Sequence, residues 1–559
     1  MGFLRNIVSK HRVHRQQLNF DNESLGRVKV TLSREKRLVL VIRIICYAAL
    51  LGFIFGNVAE FMNPLYDWDL DHELYFGQQL ANGVPIWTVE FHDKLPFVQE
   101  LFVLPAVYGD IKTWRLLSLL IVISGVITVR LVLPKLAYFA AIPKVLANSI
   151  SWLTGVLSAL WVTVLPGRIE SINASANSFM LTSTLLLLLL PEVMQSCKRI
   201  KFFLILVSAA IMGAASISIR PYFVGPIICF AVLMAWGESR RINSKRLRSG
   251  ISIFLKFLVA LLISLVLLNT LPYIATGNIN ALVSGLRMNA SDLNPASAIN
   301  GMFGSVTSWV GVAFWFPFFV TIAASTYLMS KRSFLSPIIF TTLLGILSLT
   351  VLILRTHWWS HYVILFSGLA CLLLGMTLVG FITPELIRDA SDPGRRRSTA
   401  IYGLLLTTAF VTILGSAAGI YGNSNRFKWT GVNQYESDNF SAFEDYLQQT
   451  HSEEILFLMP SSMYFHWKSH EPRHGFPHAA HTNFIFAGLW KEIPDSEAFY
   501  LPKSPLEYCD LLEELGPAIV VDLKDSLVVT KCLTDSSRYR LDRTLWVNEG
   551  GGLAIYRSD

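Results

Sequence analysis

The sequence predicts a polytopic α-helical membrane protein with a C-terminal extracytoplasmic α/β domain. Of its 559 residues, 53% are hydrophobic and only 15% are charged, whereas a soluble globular protein carries roughly 25% charged residues. The apolar residues occur in repeated runs, most of them about as long as the roughly 20 residues that a helix needs to cross a bilayer. Lysine and arginine are grouped between some of these runs, which is typical of membrane proteins with a defined orientation.

Eleven apolar runs are candidate transmembrane spans. The first follows a polar, basic segment, 1–37, that lacks the features of a secretory signal peptide, so we expect this span to be retained. The runs at 176–191 and 222–236 are the shortest and therefore the weakest candidates. The eleven runs lie near 38–56, 113–134, 145–166, 176–191, 201–219, 222–236, 251–272, 303–329, 333–354, 361–382 and 399–420.

The distribution of basic residues sets the expected orientation. Residues 1–43 hold ten lysines and arginines against three acids, which predicts a cytoplasmic N-terminus. The basic segments 238–250 and 383–398 then also fall on the cytoplasmic side when eleven spans alternate. The net charge of +8 therefore comes mostly from basic residues in the predicted cytoplasmic segments. We predict no nucleic-acid binding from it.

The segment 421–559 lacks long apolar runs and has the composition of a small α/β domain on the outer side. Cys509 and Cys532 would form a disulfide there if the compartment is oxidising, although the sequence does not establish the geometry that a disulfide needs. Strands are predicted at 454–459, 518–523 and 553–556, and helices at 441–449 and 505–515.

The first outer loop, 57–112, is strongly acidic, with nine acids against two lysines. Four of the acids lie in "DWDLDHELY" (67–75), directly after the first span. A charged carboxylate close to the bilayer is unfavourable in free energy, so its presence there calls for an explanation. A solvated acidic loop is the simplest interpretation. However, Asp71 and Tyr75 are four residues apart, which favours a helix that begins near residue 70. The aromatic and apolar residues that follow suit one or two helices lying along the membrane surface. The first is expected at "ELYFGQQLANG" and the second around 97–109.

Other polar residues fall at span ends on the same predicted face. Arg168 and Glu170 are expected to pair with each other, while Arg220 could simply reach from a span end to the interface. His357 and His361 could share a helix face, or belong to an aromatic belt with the neighbouring tryptophans. Because these residues and the acidic loop share one face, we expect the chemistry of the protein to face outward.

Two stretches resemble motifs of the GT-C superfamily of membrane glycosyltransferases. Asp-x-Asp before Tyr75, followed by "LANGVP" and "HDKLPF", is similar to the first outer loop of that superfamily. The stretch "RTHWWSHYVILFSGLACLLLG" (355–375) resembles its His-Tyr motif, which falls here on His361 and Tyr362. The chain most resembles the bacterial branch that includes the aminoarabinose transferases of lipid A and the protein O-mannosyltransferases.

The resemblance implies a reaction and a location. Enzymes of this kind move a sugar from a polyprenyl phosphate, either undecaprenyl or dolichyl phosphate, to an acceptor hydroxyl on the extracytoplasmic face of the membrane. The acceptor would be a glycan, a lipid or a protein, and the enzyme would contact membrane lipids. The bacterial branch implies the inner membrane, with the N-terminus cytoplasmic, the catalytic part at 38–420 and the C-terminal domain extracytoplasmic.

The resemblance also assigns roles to residues. Asp71 is the first candidate for the catalytic base and Asp69 the second. Both are kept because His72 stands where many relatives carry Glu, so the alignment of this stretch with the family motif could shift by two residues. The same two carboxylates could hold Mg²⁺ or Mn²⁺, a possible divalent-cation cofactor. The expected donor-phosphate ligands are Lys94, Arg220, Arg355, His357, His361 and Tyr362, and the expected substrate contacts are Asp67, Glu73, Tyr75, His92 and Arg287.

Two other functions remain open from the sequence. Intramembrane arginines and histidines also mark transporters, so a transporter or flippase of a lipid-linked sugar is the alternative. A catalytically inactive relative that acts as an assembly partner is the third. In the C-terminal part, the five histidines of "HWKSHEPRHGFPHAAH" are expected in a loop over the catalytic cavity that helps to hold an acceptor, with a metal site as the alternative. They are His466, His470, His474, His478 and His481.

Overall fold

The structure is a computed structural model in which part of the chain is described. In the apolar part it describes residues 22–62, 68–88, 94–108, 111–136, 139, 142–164, 169, 171–195, 199–239, 245–289, 309–330, 335–354, 360–387, 401–409, 412–418 and 420. In the C-terminal part it describes residues 455–457, 509–510, 512–514, 516, 519–523, 529–548 and 551–558.

The described residues of the apolar part are mostly α-helical. Three short 3₁₀ helices, Leu133–Lys135, Pro221–Phe223 and Ser360–Phe366, lie at the ends of longer helices. The α-helices are α1 (Asn22–Met62), α2 (Trp68–Ala81), α3 (Phe97–Tyr108), α4 (Ile111–Val132), α5 (Lys144–Thr163), α6 (Ile172–Gln195), α7 (Arg199–Ile219), α8 (Val224–Ser239), α9 (Lys245–Thr276), α10 (Ile279–Asn289), α11 (Trp309–Ser330), α12 (Ser336–Ile353) and α13 (Ser367–Ile387).

Nine helical segments in the described residues are long and apolar enough to cross a membrane, so the chain is an integral membrane protein. The weak candidate at 176–191 lies inside a full-length segment, Ile172–Met194. Two of the eleven expected spans correspond to shorter apolar segments, Pro221–Trp236 and Trp315–Ser330. The shortness of Pro221–Trp236 agrees with the weak signal of its sequence.

The helices differ in how deeply they are buried within the protein. The candidate span Tyr362–Ile382, most of which is α13, is 100% buried, whereas Gly250–Thr276 of α9 is only 17% buried. α13 packs against α5, α6, α11 and α12, while α9 packs mainly against α7 and α8. α13 is therefore the central helix of the bundle, and α9 lies at its periphery.

The first loop forms two helices, as the sequence predicts. α2 and α3 correspond to the expected helices at "ELYFGQQLANG" and 97–109, although α2 begins at Trp68 rather than near residue 70. The two helices touch at Gly77, where an added Cβ would lie 2.3 Å from the carbonyl oxygen of Phe102. Only glycine permits this close approach of the two backbones.

The connection between α2 and α3 is anchored to α9 and α10. Trp87 is fully buried and has a positive φ of 66°, which is strained for a residue with a large side chain. Its indole lies against α10, where a Cβ at Gly285 would fall 2.0 Å from the ring. Tyr273 of α9 donates a hydrogen bond to the carbonyl of Ile86. These contacts hold residues 86 and 87 of the connection against two neighbouring helices, and the burial of the ring stabilises the strained backbone.

The described strands of the C-terminal part form a four-stranded mixed sheet in the order β1-β2-β4-β3. The three predicted strands are confirmed as β1 (Ile455–Phe457), β2 (Ile519–Leu523) and part of β4 (Gly551–Ser558), and β3 (Tyr539–Asn548) precedes β4. β1 and β2 are parallel, and the other two pairs are antiparallel.

A disulfide and one helix lie beside these strands. Cys509 and Cys532 are bonded, with their Cα atoms 5.1 Å apart, so the disulfide considered from the sequence is present. Cys532 belongs to α14 (Val529–Asp535). The predicted helix at 441–449 lies outside the described residues.

Candidate functional site

The structure describes the side chains of four of the predicted site residues: Glu73, Lys94, Arg220 and Tyr362. For five others it describes only the backbone, in α2, α10 or the Ser360–Phe366 helix: Asp69, Asp71, Tyr75, Arg287 and His361. The remaining predicted residues lie outside the described part: Asp67, His92, Arg355, His357, Arg168, Glu170 and the five C-terminal histidines.

Glu73 and Lys94 form a buried ion pair in the first loop. The Lys94 ammonium lies 3.0 Å from Glu73 Oε1, and the two side chains are 11% and 3% exposed. Lys94 lies three residues before α3, and Glu73 lies on α2, so the pair connects the acidic helix to the start of the next one. Two buried charges with little access to water interact much more strongly than an exposed pair. The ion pair therefore fixes Lys94 beside the helix that carries Asp69 and Asp71.

Gln99 of α3 joins both helices of the loop and the connection between them. Its fully buried side-chain amide donates hydrogen bonds to the carbonyls of Phe76 (2.8 Å) and Val84 (3.2 Å), and it accepts one from the backbone N–H of Ile86 (2.8 Å). Buried backbone groups need hydrogen-bond partners, and Gln99 supplies one to each of these three. One side chain thus connects α2, α3 and the described residues between them.

Asn269 connects this loop to the membrane helices α7 and α9. Its carbonyl oxygen accepts a hydrogen bond from the backbone N–H of Phe97 (3.2 Å), and its amide donates to the hydroxyl of Ser218 (2.7 Å). Ser218 precedes Arg220 by two residues, and Phe97 follows Lys94 by three. A short chain of hydrogen bonds therefore joins the segment that carries Lys94 to the segment that carries Arg220.

Arg220 turns toward the protein. It lies in extended conformation (φ −140°, ψ 101°) at the break between α7 and Pro221–Phe223. Its Nε donates a hydrogen bond of 2.5 Å to the side-chain oxygen of Asn173. Its guanidinium carbon is 5.4 Å from the ring centroid of Tyr362, which is itself 5.9 Å from the ring of Tyr222. Two predicted donor-phosphate ligands, Arg220 and Tyr362, are thus in contact although they are far apart in sequence.

Asn177 of α6 holds the 3₁₀ segment that carries His361 and Tyr362. Its fully buried amide donates hydrogen bonds to the carbonyls of Ile364 (2.7 Å) and Leu365 (2.9 Å). Next to it, a Cβ at Gly368 would lie 2.3 Å from Asn177 Oδ1. The Asn177 side chain thereby donates hydrogen bonds to two backbone carbonyls at the end of the 3₁₀ helix, where regular α-helical hydrogen bonds are not yet formed.

An Asn177→Ala variant tests this role. The loss of two hydrogen bonds to backbone carbonyls is expected to cost roughly 2–4 kcal/mol of stability. Thermal unfolding in detergent measures this effect. The matched control is Ser178→Ala, because Ser178 is also buried but bonds only to Ala174 of its own helix. Equal unfolding temperatures for the two variants would contradict the proposed role of Asn177.

Glu60, at the end of α1, is one of the nine acids of the first loop and has a structural contact. It is 1% exposed, and its carboxylate accepts a hydrogen bond of 3.1 Å from the backbone N–H of Ile169. Ile169 lies in the connection between α5 and α6. At least one carboxylate of the acidic loop is therefore a buried acceptor and not part of a solvated surface.

Glu100 on α3 is outside the membrane-spanning segments and has a perturbed pKa. Burial raises the pKa of its carboxyl to about 7, because a low-dielectric environment disfavours the charged form. Its Oε1 is buried and accepts no hydrogen bond from any described residue. The carboxyl is therefore protonated in the folded protein at acidic pH and ionises near neutrality.

This shift predicts a pH dependence of stability. Because the pKa is raised in the folded state, the contribution of Glu100 to stability is complete at acidic pH and is lost as the pH rises through about 7. A Glu100→Gln variant is expected to lose less stability than the parent protein between about pH 5 and pH 8. Unfolding temperatures measured at both pH values provide the test. Parallel curves for the two proteins would show that burial does not affect the ionisation of Glu100.

The polar residues that assemble this site were not predicted from the sequence. Asn173, Asn177, Asn269 and Gln99 make the connections that set the positions of Lys94, Arg220 and Tyr362, and none of them was a candidate. A signal was available, since amide side chains within apolar runs are costly unless they have partners. The first two lie in "SINASANSF", which is unusually polar for the start of a span.

The described part of the chain contains no group of three or more His, Cys, Asp or Glu side chains that could hold a metal ion. The side chains of Asp69 and Asp71, which could hold a divalent cation according to the sequence, lie outside that part. A scan against protein-family models found no match, and a search of curated proteins found no similar protein.

Proposed function

We propose that the protein is a membrane glycosyltransferase that moves a sugar from a polyprenyl phosphate to an acceptor hydroxyl. The proposal rests on the motif resemblance of the first loop and of 355–375, and on one observation of the structure. Arg220, at the end of α7, turns inward to Asn173 and to the ring of Tyr362, a residue of the His-Tyr motif. An arginine that only reached for the interface would extend toward lipid headgroups.

The contacts of Arg220 suit the recognition of a phosphate. A guanidinium has five N–H donors, and the hydrogen bond to Asn173 engages Nε. Bidentate contacts to phosphate oxygens are typical of arginine side chains in proteins. Tyr362 lies beside the guanidinium and limits its movement. Lys94, held by Glu73, supplies a second positive charge in the neighbouring loop.

In the proposed reaction, the acidic and the cationic side chains have different roles. A carboxylate of α2, Asp71 or Asp69, takes the proton of the acceptor hydroxyl as its oxygen attacks the anomeric carbon of the donor sugar. The bond between that carbon and the phosphate oxygen breaks, and the polyprenyl phosphate leaves with the bonding electrons. Arg220 and Lys94 stabilise the negative charge that develops on the leaving phosphate. A divalent cation on the two aspartates would add to this stabilisation.

The proposed orientation places this chemistry outside the cytoplasm. A cytoplasmic N-terminus and an odd number of crossings put the C-terminal part on the opposite side. The disulfide between Cys509 and Cys532 agrees with that side, since structural disulfides form in oxidising compartments and are rare in the cytosol.

The decisive experiment incubates purified protein with a panel of synthetic polyprenyl-phosphate sugars and candidate acceptors, and measures release of polyprenyl phosphate. Arg220→Gln is expected to abolish most of this release. Arg130→Gln is the matched control, because Arg130 also lies over an aromatic ring, 5.9 Å from that of Trp152, but near the opposite end of the bundle. The proposal fails if neither the parent protein nor the control variant releases polyprenyl phosphate from any donor. If the protein then moves labelled lipid across the membrane of vesicles, it is a transporter and not a transferase.

A further inference from the structure

An open groove lies between α7 and α9 on the outside of the bundle. Its volume is about 1640 Å³, which exceeds the roughly 300–1,000 Å³ of sites for drug-sized molecules. Apolar side chains of both helices line most of it, among them Phe203, Ile211, Val259 and Ile263. All four are more than a third exposed, so the groove opens to the surroundings of the bundle, which are the lipid chains of the membrane.

The groove has two positive charges at one end. Two basic residues line it: Arg199, the first residue of α7, and Lys256, in the first half of α9. Both side chains are exposed, and the described part of the chain gives neither an ion pair nor a hydrogen bond to an acid. A lysine at this depth of a membrane helix is costly unless its ammonium reaches the headgroup level.

The length of the groove matches lipid chains. On α9 its lining runs from Ile251 to Leu268, which at about 1.5 Å per residue is roughly 25 Å. It therefore extends from the headgroup level at the positive end deep into a hydrocarbon core of about 30 Å.

We propose that this groove binds an anionic glycerophospholipid, with its phosphate on Arg199 and Lys256 and its acyl chains along α7 and α9. The charge at the groove end selects an anionic headgroup over a zwitterionic one. Basic residues of the adjoining segments, including Lys198, Lys201 and Arg248, favour the same leaflet.

The proposed sugar donor does not fit this groove. Arg199 and Arg220 stand at opposite ends of α7, which is a full-length span. A lipid whose phosphate rests on Arg199 therefore has its headgroup in the other leaflet from a donor whose phosphate rests on Arg220. The lipid site is independent of the proposed transferase activity, and each can fail without the other.

Native mass spectrometry of the delipidated protein tests the proposal. Phosphatidylglycerol is expected to bind at least roughly tenfold more tightly than phosphatidylcholine, and the double variant Arg199→Gln/Lys256→Gln should lose this preference. The control Lys36→Gln/Arg43→Gln removes the same charge from exposed positions that do not line the groove, and it should keep the preference. Val259→Trp, which fills the groove from its exposed side, should weaken binding of both lipids.

Three results would overturn the proposal. The first is equal binding of the two lipids by the parent protein. The second is an equal loss in the control and in the groove double variant, which would show a general charge effect. The third is evidence for a different occupant of the groove. Displacement of phosphatidylglycerol by undecaprenyl phosphate would assign the groove to a carrier lipid. A dimer that excludes lipid would assign it to a second copy of the chain.

Discussion

An Asp71→Asn variant is expected to lose sugar transfer almost completely while it keeps most of its affinity for the donor. The amide preserves the shape of the carboxylate but does not take the proton of the acceptor hydroxyl, and a positioned base contributes about 10²–10⁴-fold to the rate. Because α2 begins at Trp68, Asp71 and Tyr75 are one turn apart on the same face of a helix. The measurement is release of polyprenyl phosphate, alongside donor binding by the same variant.

The neighbouring aspartates provide the controls. Asp69→Asn is expected to reduce transfer less than Asp71→Asn if Asp69 only positions the base, and Asp67→Asn to have the mildest effect. An active Asp71→Asn protein beside an inactive Asp69→Asn protein would assign the base to Asp69. If both variants kept full activity, the acidic helix would have no part in the chemistry.

A Lys94→Met variant is expected to show the second large effect, on stability and activity together. Removal of one partner of a buried ion pair costs about 3–5 kcal/mol, and Glu73, at 3% exposure, would remain in a poorly solvated position without this cation. Unfolding in detergent measures the stability, and the transfer assay measures the activity.

The double variant Glu73→Gln/Lys94→Met separates the two effects. With both charges removed, stability should return to near that of the parent protein, because a neutral pair carries no desolvation cost of buried charge. Transfer should stay low, because the leaving phosphate would still lack the Lys94 cation. Recovery of both properties would show that Lys94 has only a structural role.

The sequence predicted the membrane helices well because their signal is local. Composition and length over about 20 residues decide whether a run can cross a bilayer, and the strands at 455–457 and 519–523 have an equally local signal. The short run at 222–236, which corresponds to Pro221–Trp236, was harder to judge than the longer runs, since length is what separates a span from a buried helix.

The contacts within the candidate site depend on tertiary structure and could be predicted only in part. The resemblance named Arg220 and Tyr362, but the hydrogen bond from Arg220 to Asn173 depends on how α6 packs beside α7. In the same way, the sequence places Glu73 among the expected substrate contacts but does not show its ion pair with Lys94. A pattern along the chain shows that a charge is present, whereas its partner is set by packing between distant segments.

The central position of α13 has a consequence for biogenesis. Helices enter the membrane in chain order, and Tyr362–Ile382 is one of the last candidate spans, yet it is buried along its whole length. Until it is inserted, Asn177 of α6 lacks the carbonyls of Ile364 and Leu365 that it binds in the finished protein. The nascent bundle therefore holds an unsatisfied amide within the bilayer, where such groups are costly. Truncated chains that end before α13 should be recognised and degraded by membrane quality control.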